Sequence, residues 1–330
     1  MVEEGLLYSV PGSGTFVGTP PTKTSHFFLT VCYPADGAVD QIQVGFAQRI
    51  AMLGGATLSL TRDEIQVRKK THAIPSLAGV WDSERGKADD LPWGPVRREV
   101  ARVGSFGYIE DPEFMDGVGV DDVDGGQQAT MHLLRMGHRR IAYLGVHGAN
   151  GPVPGHTQWS QRREEGWRSV LVDAGLPFEG LSFHPDDAFG PPEEGTHLWC
   201  FPDAARSTAR HLAARSDVTA VVAANDEVAI TYVRILHEVG VPVERWPAVV
   251  GFDNLPNPKG QILSSFHRPL DKVGAAAADI LWERWQGKIK DRAPILRRVP
   301  MVLLPRITSE SGWSLRMPDA ISILLEKTAS

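Results

Sequence analysis

Two polar residues stand where parallel α/β proteins concentrate their chemistry. In "VVAAND" an apolar run ends on Asn225, and in "VVGFD" another ends on Asp253. Ligands of open parallel sheets sit beyond the carboxyl ends of the strands. An amide there offers donors and acceptors, whereas a carboxylate offers acceptors only. Joined by a guanidinium, which only donates, the pair would suit vicinal hydroxyls. The competing account is local, because Asn and Asp after a strand also form turns and cap helices. Asp226 fits a cap or first-turn role, where negative charge is favoured.

Other candidate chemistry is weaker. "GVHGANG" has the spacing GxxGxxG rather than GxGxxG, and Pro152 and Pro154 follow where a helix should begin, which disfavours a dinucleotide enzyme. In "HPDD", His184, Asp186 and Asp187 could gather a metal, but a solvated loop is the simpler account. His132, His138, His147 and His156 lack metal-ligand spacing. "VRKK" (67–70) reads as a solvated face. No nucleophile–base pair can be argued from spacing, since such partners need only meet in space. The expectation is a protein with no cofactor, no metal site and no enzymatic activity.

The elements that must position these residues alternate in type. "FFLTVCY" (27–33), "ATLSL" (56–60), "SLAGVW" (76–81) and "ARVGSF" (101–106) read as strands. Val39, Ile42, Phe46, Ile50 and Leu53 step by three or four, which predicts an amphipathic helix that Gly54 and Gly55 stop. Asp124 can cap a helix running to Met136 and closed by Gly137. "HRRIAYLGV" (138–146) is then a strand, and "QRREEGWRSVLVDAG" is helical. A helix from Asp203 to Arg215, the strand "VTAVVAAN" (218–225), the helix 226–240 and the strand "WPAVVGFD" (246–253) follow. The short strand "LSSF" (263–266), a helix from Leu270 to Trp285 and the strand "VPMVLLP" (299–305) complete the order. Strands alternating with helices predict βαβ units and parallel sheets, and their number suggests two sheets. "TAVVAAN" and "PAVVGF" lack strict alternation, as strands covered on both faces do.

Composition narrows the class. Apolar residues make up 42% of 330 and charged residues 22%, near globular averages. Lys and Arg number 34 and Asp and Glu 40, a net charge of −6, so any nucleic-acid contact must be local. Cys32 and Cys200 form no CxxC pair and no disulfide framework. No apolar run approaches the roughly 18 residues of a membrane span, and no leader pattern stands at the front. The expectation is a soluble, cytoplasmic protein without a membrane partner.

Several segments in order resemble one family. "AVVAANDEVAITYVRILHEVGVPVERWPAVVGFDNLP", "DDVDGGQQATMHLLRMGHRRIAYLGV" and "RREEGWRSVLVDAGLP" look like the sensor domain of lactose-repressor (LacI/GalR) regulators. "LSSFHRPLDKVGAAAADIL" and "LLPRITS" match its closing helix and final strand. The resemblance covers about residues 26–309. It implies a fold like that of periplasmic sugar-binding proteins, with two α/β lobes, three crossovers and an effector in the cleft. It implies an N-lobe of about 26–116 and 268–289 and a C-lobe of about 117–267 and 290–309. Carried over, Asn225 and Asp253 fall on positions that hold effector hydroxyls, and Arg163 on the arginine that grips the ligand. Phe106, Phe189 and Leu270 fall near other cleft positions. Of nine tryptophans, Trp159, just before Arg163, is the best partner for a sugar face, and Trp167 is expected in the core.

The opening segment resembles a second family. "EEGLLYSVPGSGTFVG" is similar to the wing hairpin that ends a GntR-type winged helix. Gly12 and Gly14 permit backbone shapes other residues disfavour, and Gly12, Ser13 and Gly14 could approach DNA phosphates. The combination implies an arabinose-repressor-type hybrid, here beginning within its winged helix. Residues 1–18 are then a wing remnant, 19–25 a linker and 310–330 a tail. With no element to enter the major groove, specific operator binding by these residues alone is expected to be weak or absent. The overall expectation is a ligand-responsive transcriptional repressor, homodimeric, with a small carbohydrate effector and operator DNA as partners. A sugar-binding receptor without a DNA role is the alternative.

Overall fold

The computed structural model describes residues 7–10, 14–17, 27–31, 37–61, 63–65, 67, 77–82, 101–105, 116–146, 158–185, 203–256, 261–291 and 293–316. The chain order begins β1 (Leu7–Val10), β2 (Gly14–Val17), β3 (Phe27–Val31), α1 (Gly37–Met52), β4 (Ala56–Leu60), β5 (Leu77–Asp82), β6 (Ala101–Ser105) and β7 (Asp116–Val120). It continues with α2 (Asp122–Arg135), β8 (Ile141–Leu144), α3 (Gln158–Asp173), β9 (Ser182–Phe183), α4 (Asp203–Ala213), β10 (Ala220–Ala223) and α5 (Asp226–Glu238). It ends with β11 (Ala248–Val250), β12 (Ser265–His267), α6 (Leu270–Trp285), β13 (Leu296–Val299), β14 (Val302–Leu304) and α7 (Trp313–Arg316). Two compact units result, Met1–Gly119 with Leu270–Val299, and Val120–Pro269 with Pro300–Ser330.

In the first unit, β1 and β2 form a separate antiparallel hairpin pairing Leu7 with Val17 and Val10 with Gly14. Gly12 and Ser13 lie outside the described residues. A six-stranded sheet has the order β13-β7-β6-β5-β3-β4. β3 lies between β4 and β5, parallel to both. Ile42, Phe46 and Ile50 of α1 are buried while Val44 and Met52 are exposed, so the three-to-four spacing does mark the inward face. α6 packs on α1 with the backbones touching. A Cβ on Gly45 would collide with the carbonyl of Asp271, and one on Gly274 with that of Ile42.

In the second unit the sheet order is β11-β10-β8-β9, and all pairs are parallel. Every residue of β8, β10 and β11 is buried, which accounts for the missing alternation. The helix 122–135 starts earlier than the sequence suggests. Its cap is Asp121, whose side chain accepts from the Asp124 N–H, not Asp124 itself. Three aspartates stand within four residues there, and each has the cap chemistry.

The final strand also differs from expectation. "VPMVLLP" is not one strand but the end of β13 and all of β14. Pro300 has no N–H to continue a ladder, and the two pieces join different sheets. β13 adds to the first unit's sheet beside β7, so residues 290–299 belong with that unit rather than with the second lobe. β14 pairs antiparallel with β12 in the second unit.

Candidate functional site

The second unit holds four of the predicted ligand residues, Asn225 and Asp253 just past β10 and β11, and Trp159 and Arg163 on α3. α2 and α3 cross with their backbones in contact. A Cβ on Gly126 would fall on the carbonyl of Arg163, and one on Gly166 on that of Val123. This close approach brings Arg163 against Asp122, the first residue of α2. Arg163 is 2% exposed. Its Nε donates to Asp122 Oδ1 at 2.8 Å, Nη2 stands 2.8 Å from the same oxygen, and Nη1 donates to the Ala224 carbonyl at 2.6 Å. The guanidinium lies between two rings, 4.7 Å from the centre of Trp159 and 4.3 Å from that of Phe252. Burying an unpaired charge would be strongly destabilising, and the Asp122 carboxylate offsets that cost. The rings add cation–π attraction.

Arg163 thereby touches the residues next to both predicted partners. Ala224 precedes Asn225 at the end of β10, and Phe252 precedes Asp253 at the end of β11. The two strands are neighbours, and the Asp226 N–H donates to the Phe252 carbonyl at 2.7 Å. Asn225 is the N-cap of α5, with its Oδ1 accepting from the Val228 N–H at 2.9 Å. Capping uses only the oxygen, so it leaves the two amide N–H donors unspent.

Asp253 and Asn254 have φ of 107° and 50°. Left-handed backbone costs a non-glycine residue about 1–2 kcal/mol, and such strain collects at functional sites. Arg268 Nε lies 3.1 Å from Asp253 Oδ1. This is an ion pair by distance only, since Arg268 Nε is buried without a hydrogen bond.

Asp226 is not the cap but the first residue of α5, an acid in its first turn. It is 2% exposed, and its Oδ1 accepts from the Ser265 hydroxyl at 2.6 Å while Oδ2 accepts from the Leu255 N–H at 2.8 Å. Burial, and then the Asp253 carboxylate, push its pKa up to about 7, against the Ser265 and Leu255 bonds and Arg306. Burial, and less strongly the Asp253 carboxylate, likewise raise Glu227.

The remaining predicted residues are placed as follows. Trp159 is half-buried on α3, one turn before Arg163, and stacks on that arginine. Leu270 opens α6 in the first unit and is 5% exposed. Gly14 is the first residue of β2. Phe106 and Phe189 lie outside the described residues. Trp167 is a core residue, fully buried, with its Nε1 donating to the Ile141 carbonyl. His184 stands 3.4 Å from Glu164 and 2.7 Å from the Ser182 hydroxyl, while Asp186 and Asp187 are outside the described residues. Among the described residues no group of three or more His, Cys, Asp or Glu could hold a metal, and no helix is long and apolar enough to cross a membrane.

Sequence reasoning missed Asp122, Phe252, Ser265, Asn254 and Arg306. Asp122 lies 41 positions from Arg163 and Ser265 39 from Asp226, so no local spacing links them. Phe252 carries a faint signal, being an apolar residue wedged between a strand end and Asp253.

Among curated relatives, the HTH-type transcriptional regulator CelR of Thermobifida fusca is 30% identical over 175 residues, 52% of this chain and 46% of the relative. The arabinose metabolism transcriptional repressor of Geobacillus stearothermophilus is 24% identical over 338 residues, 93% of this chain and 84% of that repressor. A solved transcriptional regulator CelR–cellobiose complex is similar with a TM-score of 0.61 and 25% identity, over 87% of this chain and 85% of that one. The chain spans about half the length of CelR, 46%, and of the transcriptional repressor PurR of Actinobacillus pleuropneumoniae, 54%. The family described as periplasmic binding protein-like domain matches residues 130–309. That span is more than half of the 330 residues, and the protein belongs to the periplasmic binding protein-like domain family.

Proposed function

We propose that this chain is the sensor of a LacI-type transcriptional repressor and binds a small, neutral, polyhydroxylated effector, a sugar. Arg163, Asn225 and Asp253 hold its hydroxyls, with Trp159 beside them; Phe106, Phe189 and Leu270 complete the set. The observation that carries this reading is the state of Arg163. Its charge is already matched by Asp122 at 2.8 Å, and its plane is fixed between Trp159 and Phe252. A guanidinium so neutralised is a rigid hydrogen-bond donor rather than an anion trap. The carboxylate of Asp253 nearby would repel an anion and accept from hydroxyls. An amide, a carboxylate and a guanidinium make a set matched to vicinal hydroxyls.

Regulation is favoured over a receptor role because CelR and the arabinose repressor carry the names of transcriptional regulators. The hairpin β1–β2 and the 93% coverage in the match to the arabinose repressor support a GntR-type wing, with Gly12, Ser13 and Gly14 as its DNA contacts and operator DNA as partner. The protein acts as a cytoplasmic homodimer. The effector works by population shift, binding one conformation of the sensor better than another.

A thermal-shift panel of pentoses, hexoses and disaccharides, with nucleobases as the contrasting class, tests this reading. The fitting sugar at one hundred times its Kd adds about 2.7 kcal/mol to stability and raises Tm by several degrees. By calorimetry, Arg163→Ala and Asp253→Asn lose that binding while the folded circular-dichroism spectrum is retained. Unchanged affinity in Asp253→Asn, or a panel in which only anions or nucleobases bind, overturns the proposal.

A further inference from the structure

The strained turn at Asp253 and Asn254 is fastened from behind by a set of buried polar groups. Ser265 is fully buried and its hydroxyl faces two ways. It accepts from the Asn254 N–H at 2.9 Å and donates to Asp226 Oδ1 at 2.6 Å. Asp226 Oδ2 takes the next N–H, that of Leu255, at 2.8 Å. From the other side, Arg306 Nη2 donates to Asn254 Oδ1 at 2.6 Å while its Nη1 is anchored on the Leu263 carbonyl at 2.6 Å. The Asp253 N–H itself donates to the Phe266 carbonyl at 3.1 Å. A Cβ on Gly251 would collide with Asp226 Oδ1, so the carboxylate is seated directly on the backbone that leaves β11.

We propose that Asp226, Ser265 and Arg306 are positioning residues for effector recognition: they clamp Asn254 and Leu255 in a turn the backbone resists, and so aim the carboxylate of Asp253 directly before them. The proposal rests on the reading of Asp253 as an effector ligand. Two consecutive non-glycine residues with positive φ persist only where their surroundings over-determine them. The clamp supplies that constraint through three hydrogen bonds on two successive residues, Asn254 and Leu255. A buried acid whose charged form is disfavoured is a poor choice for stability alone. Its two oxygens, one for Ser265 and one for the Leu255 N–H, give it a positional task that an apolar residue could not perform.

The test reads the turn and the ligand separately. In the full chain labelled with carbon-13, the Cα and Cβ shifts of Asn254 report left-handed backbone without any ligand. Ser265→Ala and Asp226→Ala move those shifts toward extended values, and Asp226→Asn, which keeps one of the two acceptor oxygens, moves them less than Asp226→Ala does. Affinity for whichever sugar of the panel binds the unaltered protein falls at least tenfold in Ser265→Ala and in Asp226→Ala, and less in Asp226→Asn. Should Asp226→Ala fail to fold, Ser265→Ala alone decides, since it only removes a hydroxyl. Unmoved shifts in Ser265→Ala overturn the clamp, and moved shifts with unchanged affinity overturn the positioning role. If no sugar binds the unaltered protein, the effector reading fails and the role with it, while the carbon shifts still decide whether the clamp exists.

Discussion

Arg163 is 2% exposed, and Asp122 balances its charge at 2.8 Å. Removing one partner of a buried pair leaves the other charge stranded, at a cost of about 3–5 kcal/mol. Asp122→Ala should therefore lower stability by that amount in urea unfolding. Asp122→Ala combined with Arg163→Met, which removes both charges and keeps the apolar stem between the rings, should cost less than Asp122→Ala alone. Equal losses in the two would mean that the ion pair is not what holds Arg163.

Asp226 gives a prediction in pH. Its pKa rises from 3.8 to about 7, with burial the first cause. The folded state therefore holds its proton over a range in which the unfolded state has released it. Stability falls as pH rises through that window, on the order of 4 kcal/mol in total at 1.36 kcal/mol per unit. Asp226→Asn has no proton to lose. Its stability relative to the unaltered protein should improve steadily from pH 4 to pH 7 and level off above 8. A difference that stays constant over the series would refute the shift.

Among the elements, the α2–α3 crossing does the most to build the site, and it turns on two glycines. A Cβ at Gly166 meets the Val123 carbonyl and the Gln127 nitrogen, and backbone atoms cannot swing aside as a side chain can. Gly→Ala inside a helix gains up to about 1 kcal/mol of propensity, whereas overpacking costs about 1–3 kcal/mol. The second effect should win. Gly166→Ala is expected to destabilise the chain and to weaken sugar binding, because Arg163 rides on the same helix. Glu165→Ala, exposed on the outer face, should stay within about 0.5 kcal/mol. An unfolding midpoint for Gly166→Ala equal to or above that of the unaltered protein would show that the helices separate freely.

This crossing also marks how far sequence carries. The unalternating strands, the inward stripe of α1 and the span of α6 were all legible, because each depends on periodicity within one segment. So was the position of Asn225 and Asp253 just past β10 and β11, where apolar runs end. The contact of Gly126 with Arg163, the ring of Phe252 beneath the guanidinium and the reach of Arg306 to Asn254 each depend on two segments meeting. No spacing within either one encodes them. The cap at Asp121 was illegible for a different reason, since Asp121, Asp122 and Asp124 are chemically equivalent until the chain direction is known. "VPMVLLP" misled because its apolar content is continuous while its backbone donors are interrupted at Pro300.

At the scale of the whole molecule, each unit is assembled from pieces distant in sequence. The first unit takes Leu270–Val299 as an integral part. α6 covers α1 at Gly45 and Gly274, and Val273, Ala277, Ile280 and Leu281 are buried. Phe28 stacks on Trp282 with ring centres 5.7 Å apart. Asp116, 3% exposed at the start of β7, ties three pieces together. It accepts from Arg284 Nε at 2.5 Å and Nη2 at 2.6 Å, and from the Ile295 N–H at 2.8 Å. Removing Leu270–Val299 would expose the inner face of α1 and leave β7 as an open edge with a buried carboxylate unpaired. A fragment of residues 1–119 should therefore show no cooperative thermal transition and should bind a dye for exposed apolar surface. Supplying residues 270–299 as a separate peptide should restore a transition, and Asp116→Ala in the fragment should weaken that rescue. Cooperative unfolding of the fragment by itself would mean that β3–β7 and α1 hold together without the returning helix.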